Sequence, residues 1–371
     1  WRLSGQKIYI SWGDHDCAEN VVHLVLARTP GAPEGSRGLS LFLVPKFVPD
    51  AEGRPGRRNG MRCIGLEDKM GLHGSPTCAM SYEAAEAWLI GEEGQGLRCM
   101  FTMMNNARLG VGMQGIGVAE AATQKAEAYA LERRQGRTPV GDGSGPIAEH
   151  ADVRRMLLVM RARTAAARAA ALACAVAIDM SRAAPEAERA GWAARAAFLT
   201  PVAKAFGTDV GCEVASLGMQ VHGGMGYIED AGAAQHLRDV RVTAIYEGAN
   251  GVQAMDLVGR KLADGGAAAD ALLAEIEGVA RAAAAGPAAA LGERLEAARA
   301  ALATATEWML AAAPTDRAAG AAAYLRAWAL TMGASLLLRG ALAEPRLAPL
   351  ARVFLTRELP AVSALVAEAV C

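Results

Sequence analysis

The sequence predicts an α+β protein, with an antiparallel β domain first, a helical bundle second and a further helical region last. Three observations predict it. Residues 1–93 hold short β-branched runs separated by loops rich in Gly, Pro, Arg and Asp. From residue 94 to 263 the apolar period becomes helical. From 264 to 371 the chain stays helical but turns Ala-rich, after Asp264-Gly265-Gly266, which reads as a linker to a separate small domain. A chain of 371 residues is long enough for domains with their own cores.

The elements follow in order. Trp1–Trp12 reads as the end of a hairpin, with Ser4-Gly5 as the turn and Lys7–Ser11 as the returning strand. A chain that opens inside a sheet is expected to be a fragment, its β domain truncated at the start. Val21–Ala27 and Leu39–Val44 are strand runs, and Thr77–Tyr82 is a third candidate. Thr29–Gly38 and Pro49–Gly60 read as loops. Asp152 is expected to cap a helix with Val153, Met156, Leu157 and Met160 on one face. Leu199, Val202, Phe206, Val210, Val214 and Leu217 form a second apolar stripe, at the three- and four-residue steps of a bundle helix.

Composition removes several function classes. With 52% hydrophobic and 21% charged residues the chain is globular, not disordered. A net charge of −1 implies neither a nucleic acid nor a membrane surface as partner. The longest apolar stretch, Ala169–Ile178, is about half the ~20 residues that span a bilayer. The seven cysteines are scattered and form no C-x-x-C pair, which fits a reduced, cytoplasmic compartment. The six histidines form no H-E-x-x-H, so no metal is expected.

Three motifs stand out. Gly110-x-Gly112-x-x-Gly115 matches the dinucleotide fingerprint, but Met100–Asn106 before it and Val118–Arg134 after it both read as helix. The fingerprint needs a strand and a tight turn in front, so these glycines are expected to serve close helix packing instead. Gln220–Tyr227 places three glycines in four positions after a long apolar helix. Such a loop is either a cradle of backbone N–H groups for a ligand or a C-capping turn. Ile245-Tyr246-Glu247-Gly248 sets one carboxylate between an aromatic and a glycine, at a break between helical stretches. In an apolar junction that carboxylate would have a raised pKa and could act as a base; the alternative is a helix-capping Glu.

The motifs taken together resemble the acyl-CoA dehydrogenase family, from Trp1 to about Leu262. The resemblance rests on Gly5-Gln6-Lys7-Ile8-Tyr9-Ile10-Ser11, Ile90-Gly91-x-x-Gly94-x-Gly96-Leu97, Ala107-Arg108, Leu131-Glu132-Arg133, Gln220–Tyr227 and Ile245–Gly248, in the family's order. Gly13-Asp14-His15-Asp16, the run Lys69–Thr77, the run Phe101–Gly110 and the extra C-terminal helices resemble one branch of it.

That resemblance implies a four-helix bundle over 94–263, FAD as cofactor and an acyl-CoA as substrate, either a fatty acyl-CoA or 3-(methylthio)propanoyl-CoA. It implies that Glu247 takes the α proton while the β hydrogen leaves as hydride to the flavin. Tyr9 and Ser11 would lie against the flavin. Arg133, Gln220, Gly223 and Gly224 would meet the pyrophosphate or adenosine part of FAD, and Ala249 and Asn250 its adenosine end. Asn105, Arg108 and Gly248 would meet the substrate; the family often has Asp at the first of these and Thr where Ala249 stands. Electron-transfer flavoprotein is the implied acceptor, and a homodimer or homotetramer the implied assembly. Two other activities occur on this fold, acyl-CoA oxidation by oxygen and protection of DNA. The nine Arg/Lys against eleven Asp/Glu after residue 263 argue against DNA.

Overall fold

The computed structural model describes residues 1–140 and 143–371, with the side chain of Asn105 outside the described set. The chain forms two compact units, Trp1–Asn106 and Ala107–Cys371.

The first unit is antiparallel throughout. Strand β1 (Arg2–Ser11) is followed by β2 (Val22–Arg28), β3 (Leu39–Pro45), β4 (Phe47–Pro49), β5 (Pro55–Arg58), β6 (Met61–Leu66), β7 (Thr77–Glu86) and β8 (Trp88–Ile90). One sheet has the order β1-β7-β6 and another β2-β3-β8, while β4 and β5 make a two-stranded hairpin. Val25, Phe42, Val44, Met80 and Tyr82 are among the side chains that fill the core. Ser4-Gly5 is no hairpin turn. It lies within β1, opposite a bulge of β7: between the pairs Leu3–Ala85 and Gly5–Tyr82 the extra residue is on β7, where Ala84 is left-handed at φ +49° and donates its N–H to Ser4 Oγ at 3.0 Å. Pro49–Gly60 is likewise not all loop, since it contains the tip and second strand of the β4–β5 hairpin.

Helix α1 (Gly96–Glu132) leads into the second unit, and β9 (Arg134–Arg137) pairs with β10 (Ser144–Pro146). Then come α2 (Ala151–Ala183), α3 (Glu186–His222), α4 (Ala233–Arg241), α5 (Asn250–Asp256), α6 (Ala267–Ala284), α7 (Ala289–Ala311), α8 (Pro314–Ala343), α9 (Ala348–Arg357) and α10 (Ala361–Ala369). The expected stripes hold: Met156 and Met160 of α2, and Leu199, Val202, Phe206, Val210 and Val214 of α3, are all buried in one core. Asp152 is not the cap of α2. The helix starts one residue earlier behind His150, and Asp152 sits in the first turn accepting from Arg155 Nε at 2.8 Å. By length and composition α2 and α8 are each long and apolar enough to cross a membrane, beyond the ten-residue stretch read from the sequence; here both line the core.

By its contacts the chain divides once, at 106/107, and the residues beyond 263 stay within the second unit. The physical reason at 263/264 is plain. Asp264 accepts from the N–H groups of Gly266 (2.9 Å) and Ala268 (3.1 Å), so the expected linker is a tight turn tied to the first turn of α6. The helices beyond it enter the common core: Trp328 of α8 meets Phe198 edge-on at 4.8 Å, and Phe354 of α9 meets Phe206 at 6.5 Å.

Of the three motif glycines in α1, Gly112 and Gly115 serve packing, as expected, while Gly110 is exposed with open space where a Cβ would stand. A methyl group at Gly112 would stand 2.8 Å from the Ala203 carbonyl oxygen, and one at Gly115 only 2.4 Å from that of Gly207. Gly207 and Gly211 of α3 meet Gly112 and Gly115 in the same way. Backbones can approach this closely only where neither side carries a Cβ.

Candidate active site

Glu247 stands in the segment between α4 and α5, and two consecutive residues there are left-handed, Glu247 at φ +54° and Gly248 at φ +85°. A non-glycine residue in that region costs about 1 kcal/mol or more, so the surroundings must hold it. They do so from three sides. Tyr246, just before, donates its hydroxyl to Gln114 Oε1 of α1. Burial pushes the Tyr246 hydroxyl pKa up, and the nearby Glu247 charge adds to the rise. Gly248 accepts at its carbonyl from Gln253 Nε2 at 3.0 Å, and a Cβ at Gly248 would stand 2.7 Å from that nitrogen. Ala249 then caps α5, its carbonyl accepting from the Gln253 N–H. Glu247 itself is exposed in this chain, not enclosed in an apolar junction. The turn leaves the carboxylate outside and puts the buried polar groups beneath it.

Those groups form two clusters. Arg108 of α1 is buried and pairs with Asp256 at 2.8 Å, and Asp256 accepts from Arg260 Nε at 2.6 Å. Arg260 lies in the π-helical turn Leu257–Lys261 that follows α5. Arg108 is thus locked in an ion pair under the turn, with one Nη 3.9 Å from where a Gly248 Cβ would be. Arg108 Nε and Gln253 Oε1 are buried without a hydrogen-bond partner among the described residues. In the second cluster Lys204 of α3 has no exposed surface and donates to Asn250 Oδ1 at 2.9 Å. Asn250 Nδ2 donates to Asp209 Oδ1 at 2.6 Å and to Thr208 Oγ1 at 3.0 Å. Burial pulls the Lys204 pKa down to about 8, with Asp209 and Glu247 opposing that fall and Arg108 adding to it. Burial also pushes the Asp209 carboxyl up, against the pull of Arg326 and Asn250. Asn250, expected at the adenosine end of the cofactor, therefore spends both ends of its amide inside the unit.

The remaining expected residues lie elsewhere. Tyr129 of α1 stacks on His222 of α3 with ring centroids 4.4 Å apart, which brings the ends of these two helices side by side. Arg133, one turn beyond Tyr129, and Gln220, just before His222, are both exposed there. Gly223 follows at φ +59°, and neither it nor Gly224 has any atom within 4 Å of where a Cβ would stand. Gly226, by contrast, is pressed on the Met219 carbonyl, so one end of this loop is a packed turn and the other is open backbone. In the first unit Tyr9 is left-handed (φ +59°) and 70% exposed at the bulge of β1 between Lys7 and Ile10, and Ser11 is exposed opposite Thr77. The expectation for the Asn105 side chain lies outside the described residues.

Sequence reasoning missed Gln114, Tyr129, Lys204, Asp209, Asp256 and Gln253. Lys204 had a signal, since it is a lone charge in the apolar run of α3 between Val202 and Phe206. Asp256 had none, because its partner Arg108 is 148 residues away.

The frame is an antiparallel β unit followed by a helical unit that presents one strained, exposed carboxylate over buried charges. Residues 94–263 match the family described as acyl-CoA dehydrogenase, C-terminal domain. The chain is 50% identical over 323 residues to 3-methylmercaptopropionyl-CoA dehydrogenase of Ruegeria pomeroyi, covering 85% of this chain and 55% of that protein. It is 37% identical over 273 residues to a butyryl-CoA dehydrogenase of Syntrophomonas wolfei, covering 70% and 45%. The crystal structure of an acyl-CoA dehydrogenase from Bacillus anthracis complexed with FAD shares the fold, with a TM-score of 0.79 at 21% identity over 99% of this chain and 63% of that one. Residues 94–263 belong to the acyl-CoA dehydrogenase C-terminal domain family, and the chain spans about half the length of these two curated relatives.

Proposed function

We propose that this protein carries out FAD-dependent α,β-dehydrogenation of an acyl-CoA thioester, with Glu247 as the base. The observation that carries the reading is the Glu247–Gly248 turn: a carboxylate held in a costly left-handed conformation, exposed, above two buried charged clusters. Strain of this kind persists only where surrounding contacts over-determine it, and it points to a positioned group. The similarity to 3-methylmercaptopropionyl-CoA dehydrogenase supports a short thioether or fatty acyl chain as the substrate. Electron-transfer flavoprotein as acceptor and a homodimeric or homotetrameric assembly belong to the same proposal.

The residues present fit the cofactor's phosphate end. Gly223 and Gly224 expose backbone where side chains would otherwise stand, and the exposed Arg133 follows α1 at the same helix ends. These residues and Gln220 would hold the pyrophosphate or adenosine part. Bound FAD supplies the hydride acceptor. The chain's own task is proton transfer: the Glu247 carboxylate takes the α proton, and the buried Arg108–Asp256 pair and the Gln253 contact keep the turn in place while it does so. A thioester α proton is a weak acid, so backbone dipoles must stabilise the enolate oxygen as charge develops; the N–H of Glu247 is the candidate donor.

The test is Glu247→Gln in the flavin-loaded protein, read by stopped-flow bleaching of oxidised flavin with an acyl-CoA. The variant keeps its flavin and loses bleaching by roughly 100- to 10,000-fold, the size of a general-base contribution. Bleaching at the wild-type rate would remove Glu247 from the chemistry.

A further inference from the structure

Residues 264–371 lie outside the matched family domain, yet α8 reaches the ground beneath the Glu247 turn. Arg326 of α8 places one Nη 3.7 Å from Asp209 Oδ2 and donates from the other to Glu213 Oε1 at 2.7 Å. Its guanidinium also lies 5.9 Å from the centre of the Phe206 ring, against one face of α3. Asp209 accepts from Asn250, the third residue after Glu247, and Asn250 holds Lys204 with its other end. On the far side Glu213 meets Arg163 Nη1 of α2 at 3.1 Å, and Arg163 Nε donates to Glu358, just past α9, at 2.7 Å. One ionic chain therefore runs from the last helices of the protein to the first residue of α5.

We propose that Arg326 is a positioning residue, which holds the start of α5, and with it the left-handed Glu247 turn, through Asp209 and Asn250. The assignment rests on Glu247 being the base. Its physical logic is the charge state of Asp209. Burial works against that charge, and Arg326 is the foremost neighbour preserving it, ahead of the Asn250 hydrogen bond; Lys204 helps and Glu213 opposes. The groups facing Asp209 are thus Lys204, Cys212 and Glu213 from its own helix, Asn250 from α5 and Arg326 from α8, with Arg108 of α1 acting on Lys204. An ionised Asp209 is the stronger acceptor and keeps the Asn250 amide oriented, so its oxygen stays on Lys204. A protonated Asp209 loosens that orientation, and the turn loosens with it.

Arg326→Gln, Arg326→Lys and Asp209→Asn test this in the flavin-loaded, full-length protein. Arg326→Gln and Asp209→Asn are expected to slow flavin bleaching at saturating acyl-CoA by roughly 10- to 100-fold, the effect of a small misplacement of a reacting group. The half-saturating concentration changes by less than about threefold, because ground-state binding is not what is lost. Arg326→Lys recovers most of the rate. In Arg326→Gln the acid limb of the rate profile moves to higher pH, since Asp209 now takes up its proton earlier. Hydrogen exchange across Tyr246–Met255 speeds up, while the flavin-to-protein ratio stays that of the wild type. Wild-type bleaching and unchanged exchange in both Arg326→Gln and Asp209→Asn would overturn the assignment, as would an Arg326→Lys variant no better than Arg326→Gln. Should Glu247→Gln still bleach normally, the base reading fails on its own. Exchange across the turn then decides for Arg326: faster exchange upholds the positioning role and unchanged exchange refutes it.

Discussion

Along α1 and α3, Gly112, Gly115, Gly207 and Gly211 bring two backbones so close that a methyl group at any of them would strike a carbonyl oxygen at 2.3–2.8 Å or a neighbouring side chain. At the end of α3, Gly223 and Gly224 have open space where a side chain would be. Both stretches were glycine-rich in the sequence, and both could be read as ligand cradles. In the seam, glycine removes a side chain so that protein can meet protein. In the loop it removes one where no protein follows. The seam stores stability, and the loop keeps backbone accessible.

The largest expected effect breaks the seam. Gly207→Ala puts a methyl group 2.3 Å from the Gly112 carbonyl oxygen, between two rigid helices with no side chain to yield. Overpacking of this kind costs about 3 kcal/mol or more, and thermal unfolding of the variant against wild type measures it. A melting temperature equal to wild type would mean that the helices slide apart freely, and the contrast with the loop would collapse.

The next effect concerns the buried cation set among the seam's apolar neighbours. The Lys204 pKa falls from 10.5 unfolded to about 8 folded, so below pH 8 its charge costs stability. Between those two values the unfolded chain binds more protons than the folded one, and stability rises with pH. The wild type should therefore gain on Lys204→Met by about 2–3 kcal/mol at most between pH 7 and pH 10, as the penalty on the charged form is relieved. Denaturant unfolding of both proteins at the two pH values checks the sign. A stability gap independent of pH would show that Lys204 stays charged throughout.

Smaller effects sharpen the loop's side of the contrast. Arg133→Ala should weaken FAD retention roughly tenfold, the scale of a charge-assisted phosphate contact, without lowering the melting temperature of the flavin-free protein. The flavin-to-protein ratio after gel filtration decides it, and an unchanged ratio would leave Arg133 a solvated surface charge. Gly224→Ala should shift stability by less than about 0.5 kcal/mol, because its new methyl group meets nothing, while still lowering that ratio. A stability loss as large as that of Gly207→Ala would erase the distinction between the two stretches.

Much of this was legible in advance for reasons that are local. The period of Leu199, Val202, Phe206, Val210 and Val214 requires a buried helical stripe wherever that helix sits. Glycines inside a helix pattern with no strand before them imply packing, because the phosphate turn needs a strand. Glu247 before Gly248, at a break in period, marked the turn. The β bulges were less readable: Ser4-Gly5 carries turn residues, while the extra residue opposite them belongs to β7, at Ala84, 80 residues from Ser4 in the chain.

What the sequence determined by itself was the order of elements, the apolar faces and the place of the Glu247 turn, since each depends on residues near one another in the chain. The tertiary structure alone decided what lies beneath that carboxylate. Arg108 meets Asp256 across 148 residues, Asn250 meets Asp209 across 41, and Arg326 meets Glu213 across 113. It also decided that Asp264-Gly265-Gly266 is a tight turn into a helix that packs in the same core. Burial and charge pairing are properties of what surrounds a residue, and those surroundings come from distant parts of the chain only once the helices have packed.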